Sequence, residues 1–114
     1  MPVIKEVAKL WGTELWHHND SQYCMKTLII RSGARSSLHY HRVKRETFLC
    51  VQGIVRVDVG DRQVRLMAGE SVTIEPGTPH RFWSANVART AVVVEASTTH
   101  SDEDVVRIEP SKLL

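Results

Sequence analysis

Cysteine and aromatic residues are scarce in this 114-residue chain, with 2 Cys and 6% Phe, Trp and Tyr together. Cys24 and Cys50 could pair in principle, but a cytosolic chain keeps its thiols reduced, and the absence of a Cys-x-x-Cys pair excludes a thiolate zinc knuckle. Both are read as free thiols that pack as small hydrophobes. Long apolar runs are missing too: the longest, Thr27 to Ile30 and Ala91 to Val94, fall far short of the roughly 20 residues of a membrane helix. Charge of one sign is not in excess, the formal net charge being +2. The single basic cluster, Arg42-Val43-Lys44-Arg45, is too small for a nucleic-acid footprint, so neither nucleic acid nor membrane is expected as a partner. Met1-Pro2-Val3-Ile4-Lys5-Glu6 has no basic segment leading into an apolar run, so no signal peptide is expected, and the expected location is cytoplasmic.

What remains is an ordinary globular composition, 42% hydrophobic and 25% charged. The length bounds it to one domain, residues 1–114, burying roughly two thirds of its unfolded surface. Short runs rich in Val, Ile and Thr, punctuated by Gly, Pro and Asp, dominate from residue 22 to about 96, the pattern of an all-β, antiparallel fold. One early segment reads differently. Ile4, Val7, Ala8 and Trp11 follow helical spacing with Gly12 as a stop, which predicts about two turns of helix.

Strand parity then sorts the middle of the chain into two faces. With Gln52-Gly53 as a two-residue hairpin loop, Cys50 faces Val55, Phe48 faces Val57 and Glu46 faces Val59. With Gly60-Asp61 as the next loop, Val57 faces Val64 and Val55 faces Leu66, continuing one apolar face while Arg56, Asp58, Gln63 and Arg65 point away. Extended backwards through a polar loop at Arg42 to Arg45, the same parity sets His41 opposite Glu46 and His39 opposite Phe48. Both histidines and Glu46 land on the interior face.

His39 and His41 are two apart on a strand, so they share a face with Cα atoms about 6.6 to 6.8 Å apart. His80, after the turn Pro76-Gly77-Thr78-Pro79, opens another strand-like run. A charged Glu46 and two imidazoles among Phe48, Cys50 and valines need compensation, since an unpaired buried charge costs several kcal/mol. One way to supply it is a divalent first-row metal ion (Mn, Zn, Ni or Fe), which the pattern predicts to be held by His39, His41, Glu46 and His80 with positions left open.

Gly33, five residues, His39-Tyr40-His41, four residues, Glu46, six residues, Gly53 resembles the first cupin motif. Gly69 with Pro76-Gly77-Thr78-Pro79-His80 resembles the second, with Glu75 where a first proline is common and Ser84 where Asn is usual. The two span 33–53 and 69–84. The resemblance implies a small double-sheet antiparallel barrel, a double-stranded β-helix or jelly roll. Trp11 to Trp16, Tyr23 to Lys26, Ser37-Leu38, Gly77 to Arg81, and Val94-Glu95 through Asp104 to Glu109 are similar to the C-terminal cupin domain of type II phosphomannose isomerases and to small sugar-isomerase cupins. His39, Lys44 and Thr47 depart from that domain's Gln, Arg and His while the metal set is kept. The nucleotidyltransferase domain often joined to such isomerases does not fit in this length. The resemblance implies a sugar or sugar phosphate as small-molecule partner, isomerisation between aldose and ketose through an enediol, and a homodimer, which exposed strand edges and Trp residues also suggest.

Such a reaction needs a Lewis acid on adjacent oxygens and a base near the C–H. Glu95, Lys44 and Lys26 are the candidate catalytic groups. Glu95 lies in a run where either parity can face inward, Lys44 in a polar loop where lysines are usually solvated, and Lys26 on a strand apolar on both faces. Arg81 and Arg107 are candidates for binding a phosphate or hydroxyl. A His-rich site with open positions also suits an Fe(II) dioxygenase, and a site without a base would make a carbohydrate-binding module. Ser101-Asp102-Glu103-Asp104 reads as an acidic turn facing solvent, and His17-His18 as exposed polar sequence.

Overall fold

A computed structural model describes residues 2–86 and 88–114. Among the described residues thirteen strands follow in chain order: β1 (Lys5–Lys9), β2 (Gly12–Asn19), β3 (Cys24–Ile30), β4 (Ala34–Arg35), β5 (Leu38–His41), β6 (Glu46–Gln52) and β7 (Ile54–Val59). They continue as β8 (Arg62–Met67), β9 (Ser71–Ile74), β10 (His80–Ser84), β11 (Ala91–Ser97), β12 (Val105–Glu109) and β13 (Lys112–Leu113), with one 3-10 turn at Asp102–Asp104. The protein is all-β and antiparallel, as its alternating pattern predicts, and no described helix is long and apolar enough to cross a membrane.

Two sheets enclose one interior. The first runs β1-β2-β3-β11-β6-β9. In the second, β10 is flanked by β7 and β8 on one edge and by β5 and β4 in succession on the other, with β12 beside β5 and β13 beside β4. Inward positions alternate along every strand, and their chemistry changes along its length. At one end Ile30, Ala91, Val93, Cys50, Val55, Val57 and Leu66 form a close-packed apolar core. Toward the other end the inward residues become Lys26, Glu95, Glu46, His41 and His80, all buried. Strands β3, β6, β10 and β11 thus donate apolar side chains to a core and polar ones to a site above it.

Parity held; pairing did not. The β7–β8 hairpin has the anticipated register, Val57 opposite Val64 and Val55 opposite Leu66. Gln52-Gly53, however, is not a hairpin loop, because β6 pairs with β9 and β11 while β7 pairs with β8 and β10. Gly53, at φ +75° and where an added Cβ would stand 3.0 Å from the Thr90 carbonyl oxygen and 3.1 Å from the Ala91 α-carbon, carries the chain from one sheet to the other. The polar loop Arg42 to Arg45 crosses in the same way, so β5 and β6 face each other across the barrel instead of lying side by side. Alternation is local and survives such a crossing, whereas the choice of hydrogen-bonded neighbour is made by distant residues.

The predicted helix at residues 4–12 is a strand. Lys5 to Lys9 pairs antiparallel with Trp16 to Gly12, so Lys5, Val7 and Lys9 share one side with period two. Too short to be a stable helix on its own, the segment adopts the ladder that a neighbouring strand offers. Gly12 opens β2 at φ +148°, where a Cβ would stand 1.9 Å from the Ile29 carbonyl oxygen. Gly12→Ala is therefore expected to cost roughly 3 kcal/mol or more, against about 1 kcal/mol for Gly69→Ala, whose Cβ meets open space. Urea denaturation of the two variants measures the difference.

Candidate metal centre and ligand cavity

Three imidazoles converge at the polar end of the interior. One ligating atom from each of His39, His41 and His80 lies within 4.8 Å of the others. Their placement follows from pairing: His39 and His41 are alternate inward positions of β5, and His80 is the cross-strand partner of His39 on β10. The Nδ1–H of His39 donates to the Ser37 carbonyl and that of His80 to the Thr78 carbonyl, both at 2.9 Å. Each ring is thereby oriented with an Nε2 lone pair free, the arrangement that prepares histidine as a metal ligand.

Glu46 enters from the opposite sheet. Its Oε1 lies 2.8 Å from His80 Nε2 and 3.8 Å from His41 Nε2. With the His80 Nδ1–H turned to Thr78, Nε2 has no proton to donate across the closer contact, and Glu46 Oε1, His80 Nε2 and His41 Nδ1 are all buried without a hydrogen bond. Two lone-pair bearers facing each other at 2.8 Å repel unless a cation lies between them. Orphaned buried donors of this kind, three imidazoles and a carboxylate, fit a divalent first-row ion.

Burial lowers the pKa of His39 to about 4 and that of His41 to about 3, the latter aided by the Lys44 charge. These two imidazoles therefore stay neutral, and available to a cation, well into mild acid.

Beside the histidines lies a buried charge cluster. The Lys44 ammonium is 3.0 Å from Glu46 Oε2, 3.0 Å from Glu95 Oε2 and 3.1 Å from His100 Nδ1. Burial would raise the Glu46 pKa, but His80 and Lys44 hold it well below the usual carboxylate range. Burial and the Glu46 charge push Glu95 up. Burial opposes the Lys44 charge, yet Glu95 and Glu46 raise its pKa further still. Lys26 donates to Glu14 at 3.1 Å and stands 4.1 Å over the Trp16 ring.

These groups line one cavity of about 370 Å3, whose wall also includes Lys5, Lys9 and Arg107. The volume suits a small molecule.

Residues 26–97 match the cupin domain. The chain belongs to the cupin family. Mannose-1-phosphate guanylyltransferase from Sinorhizobium fredii is 26% identical over 99 residues, covering 86% of this chain and 19% of that protein. The matched part of such relatives is their C-terminal cupin, and the chain spans about a fifth of the length of the curated relatives it matches. Among solved structures, KdgF from a Halomonas species superposes with a TM-score of 0.77 at 15% identity, covering 90% of this chain and 96% of that one. Oxalate decarboxylase from Bacillus subtilis gives 0.80 at 14%, covering 91% of this chain and 30% of that one. At these identities the two structures establish the fold.

In this cupin the residues singled out from sequence divide clearly. His39, His41, Glu46, His80, Lys44, Lys26 and Glu95 meet in one region, and Arg107 joins the cavity wall. Arg81 does not: it points outward and is held by Asp58 at 2.7 Å and Glu109 at 3.1 Å. Its parity is opposite to that of His80, the adjacent residue. Lys44 is no solvated loop lysine but is 3% exposed, because the crossing between sheets turns it inward. The acidic turn explains this. Both Asp104 carboxylate oxygens accept backbone N–H groups, from Val43 and Lys44 at 2.9 Å, clamping the loop that carries Lys44.

Trp11 and Trp16 are buried, Trp83 is half-buried under Arg35, and Cys24 and Cys50 are free and buried. Sequence reasoning missed Glu14 and His100. Glu14 shares parity with Trp16 and could have been found; His100 lies outside any strand, where no periodicity points to it.

Two outcomes follow. Lys44→Met, which leaves Glu46 and Glu95 without their shared cation, is expected to lower stability by roughly 3–5 kcal/mol in chemical denaturation. For His39 the folded pKa lies below the ordinary value near 6.5, so the unfolded chain binds the proton first as pH falls. The metal-free protein should therefore lose stability from about pH 6.5 down to about 4, at up to about 1.4 kcal/mol per pH unit for this imidazole. Comparing denaturation midpoints of wild type and His39→Asn across that window isolates the contribution.

Proposed function

We propose that this cupin is a metal-dependent isomerase of a sugar or sugar phosphate, working as a cytoplasmic homodimer. One observation carries the reading: His39 and His41 of the three-imidazole centre share one cavity with a buried carboxylate, Glu95, and with cationic groups around the wall. A divalent ion held by His39, His41, His80 and Glu46 would supply Lewis-acid polarisation of adjacent carbonyl and hydroxyl oxygens.

The remaining chemistry belongs to the chain. Glu95 is the proposed base, removing the proton from one carbon and returning it to its neighbour as the sugar passes through an enediol. Burial raises its pKa, which strengthens it for that task. Its contact with Lys44 engages only Oε2. Lys44 then answers the charge that Glu95 gains and loses, and so acts as a positioning residue. Lys26, oriented by Glu14 and the Trp16 ring, supplies hydrogen-bond donors toward substrate hydroxyls. Lys5, Lys9 and Arg107 line the wall and suit the anionic end of a sugar phosphate. The guanylyltransferase relatives support a sugar-related ligand; the matched portion is about a fifth of their length.

The test begins with elemental analysis of the purified protein and continues with aldose and aldose-phosphate turnover under the metal found. Glu95→Gln is expected to retain metal and lose at least about 100-fold in turnover, whereas His41→Ala should lose metal affinity by about 10-fold or more. A metal-loaded wild type that binds sugar phosphates without converting any of them would overturn the catalytic reading in favour of a binding module.

A further inference from the structure

His100 lies outside every described strand, yet the chain holds it from four sides. Its backbone N–H donates to Asn19 Oδ1 at 2.9 Å, and its carbonyl accepts from Asn19 Nδ2 at 3.1 Å. The ring stands edge to face against Trp16, with centroids 5.0 Å apart. Its Nε2 lies 2.8 Å from Asp102 Oδ1, and its Nδ1 lies 3.1 Å from the Lys44 ammonium. The His100 side chain is 8% exposed, whereas that of Asp102 is 83% exposed. His100 has no place in the apolar core, so it is the polar atoms of the residue that its surroundings grip.

An ammonium can only donate, so His100 Nδ1 accepts from Lys44 and the ring proton sits on Nε2, where Asp102 accepts it. This is the reverse of His39 and His80, whose protons are on Nδ1 and whose Nε2 atoms are left bare. Opposite tautomers therefore serve opposite purposes: two rings offer a lone pair to a cation, and the third offers one to a lysine. The Lys44 ammonium has three N–H bonds, and three acceptors surround it: Glu46 Oε2 and Glu95 Oε2 at 3.0 Å and His100 Nδ1 at 3.1 Å. We propose that His100 is a positioning residue of the metal centre: by taking the third ammonium proton it fixes the rotamer from which Lys44 holds Oε2 of both carboxylates, leaving Glu46 Oε1 to the histidines. That oxygen is the one 2.8 Å from His80 Nε2 and 3.8 Å from His41 Nε2. Once the third acceptor is removed, the ammonium turns on its flexible stem and Glu46 is no longer held by one chosen oxygen. The turn from His100 to Asp104 thus grips Lys44 at both ends, its ammonium through His100 and its backbone N–H through Asp104. The inference rests on the metal-dependent reading given above, but its first readout needs neither metal nor turnover.

Ring-nitrogen NMR correlation spectra of the labelled, metal-free full chain supply that readout. His100 is expected with its proton on Nε2, and His39 and His80 with theirs on Nδ1. Zinc affinity, measured by competition with a chelating dye, is the second readout. His100→Leu is expected to bind zinc at least about 10-fold more weakly than wild type, although His100 is not a ligand, with the His39 and His80 tautomers unchanged. His100→Asn, whose Oδ1 takes the place of Nδ1, should restore most of the lost affinity. Asp102→Ala removes the acceptor that keeps the ring from turning and should show a smaller loss; its exposed position makes it the second variant should His100→Leu fail to fold. A wild-type His100 with its proton on Nδ1 overturns the inference and leaves the isomerase reading standing. So does undiminished zinc affinity in His100→Leu, or in Asp102→Ala where the leucine variant does not fold, and so does a His100→Asn as weak as His100→Leu. A wild type that binds no zinc overturns the metal-dependent reading, and this inference with it.

Discussion

The Lys44 ammonium, 3.0 Å from each of two buried carboxylates, is the interaction on which the polar half of this molecule depends. Glu46 and Glu95 come from adjacent strands of one sheet, and both point inward where water is scarce. Without a cation between them the two charges would repel across a low-dielectric gap, and one would take up a proton. Lys44 lets both stay inside. It reaches them only because the Arg42 to Arg45 loop crosses between sheets and because Asp104 fixes the backbone of that loop. A surface acidic turn and a buried ion cluster are thus one mechanical unit.

Around this cluster the barrel is graded. Several inward rows run from aliphatic packing to polar groups: β3 passes from Ile30 and Leu28 to Lys26, and β11 from Ala91 and Val93 to Glu95. The apolar half provides the stability that the polar half gives up. Phe48 and Phe82 stand at the boundary, edge to face at 5.6 Å, with Phe48 in turn near the His80 ring. A hydrophobic floor beneath neutral imidazoles keeps their lone pairs from being used up by water or protons. Such a centre is prepared for a cation and has room above it for a small molecule.

The outer surfaces divide the labour differently. One sheet meets solvent with interleaved arginines and carboxylates, including the Arg81 grip on Asp58 and Glu109. The other turns an uncharged face outward and its catalytic candidates inward. Because a strand alternates, the same run of residues can build an interior site on one side and an uncharged outer face on the other without compromise between them.

Much of the cupin barrel was legible in the sequence because alternation is a property of neighbouring residues. Parity put His39, His41, Glu46, Phe48 and the valines of β7 on one interior side, and the spacing from Gly33 to Gly53 marked the family. The same local logic gave the β7–β8 register. It failed at residues 4–12, where a short segment took its conformation from β2, and at Gly53 and Arg42 to Arg45, where the chain changes sheet. Which strands hydrogen-bond, which side Glu95 and Lys26 face, how Lys44 comes to be buried and that His100 joins the cluster were all decided by contacts between residues far apart in the chain. Sequence by itself determined the two faces of each strand and the residue types able to hold a metal. Only the tertiary structure decided how those faces meet, because pairing energy depends on which distant backbone arrives alongside.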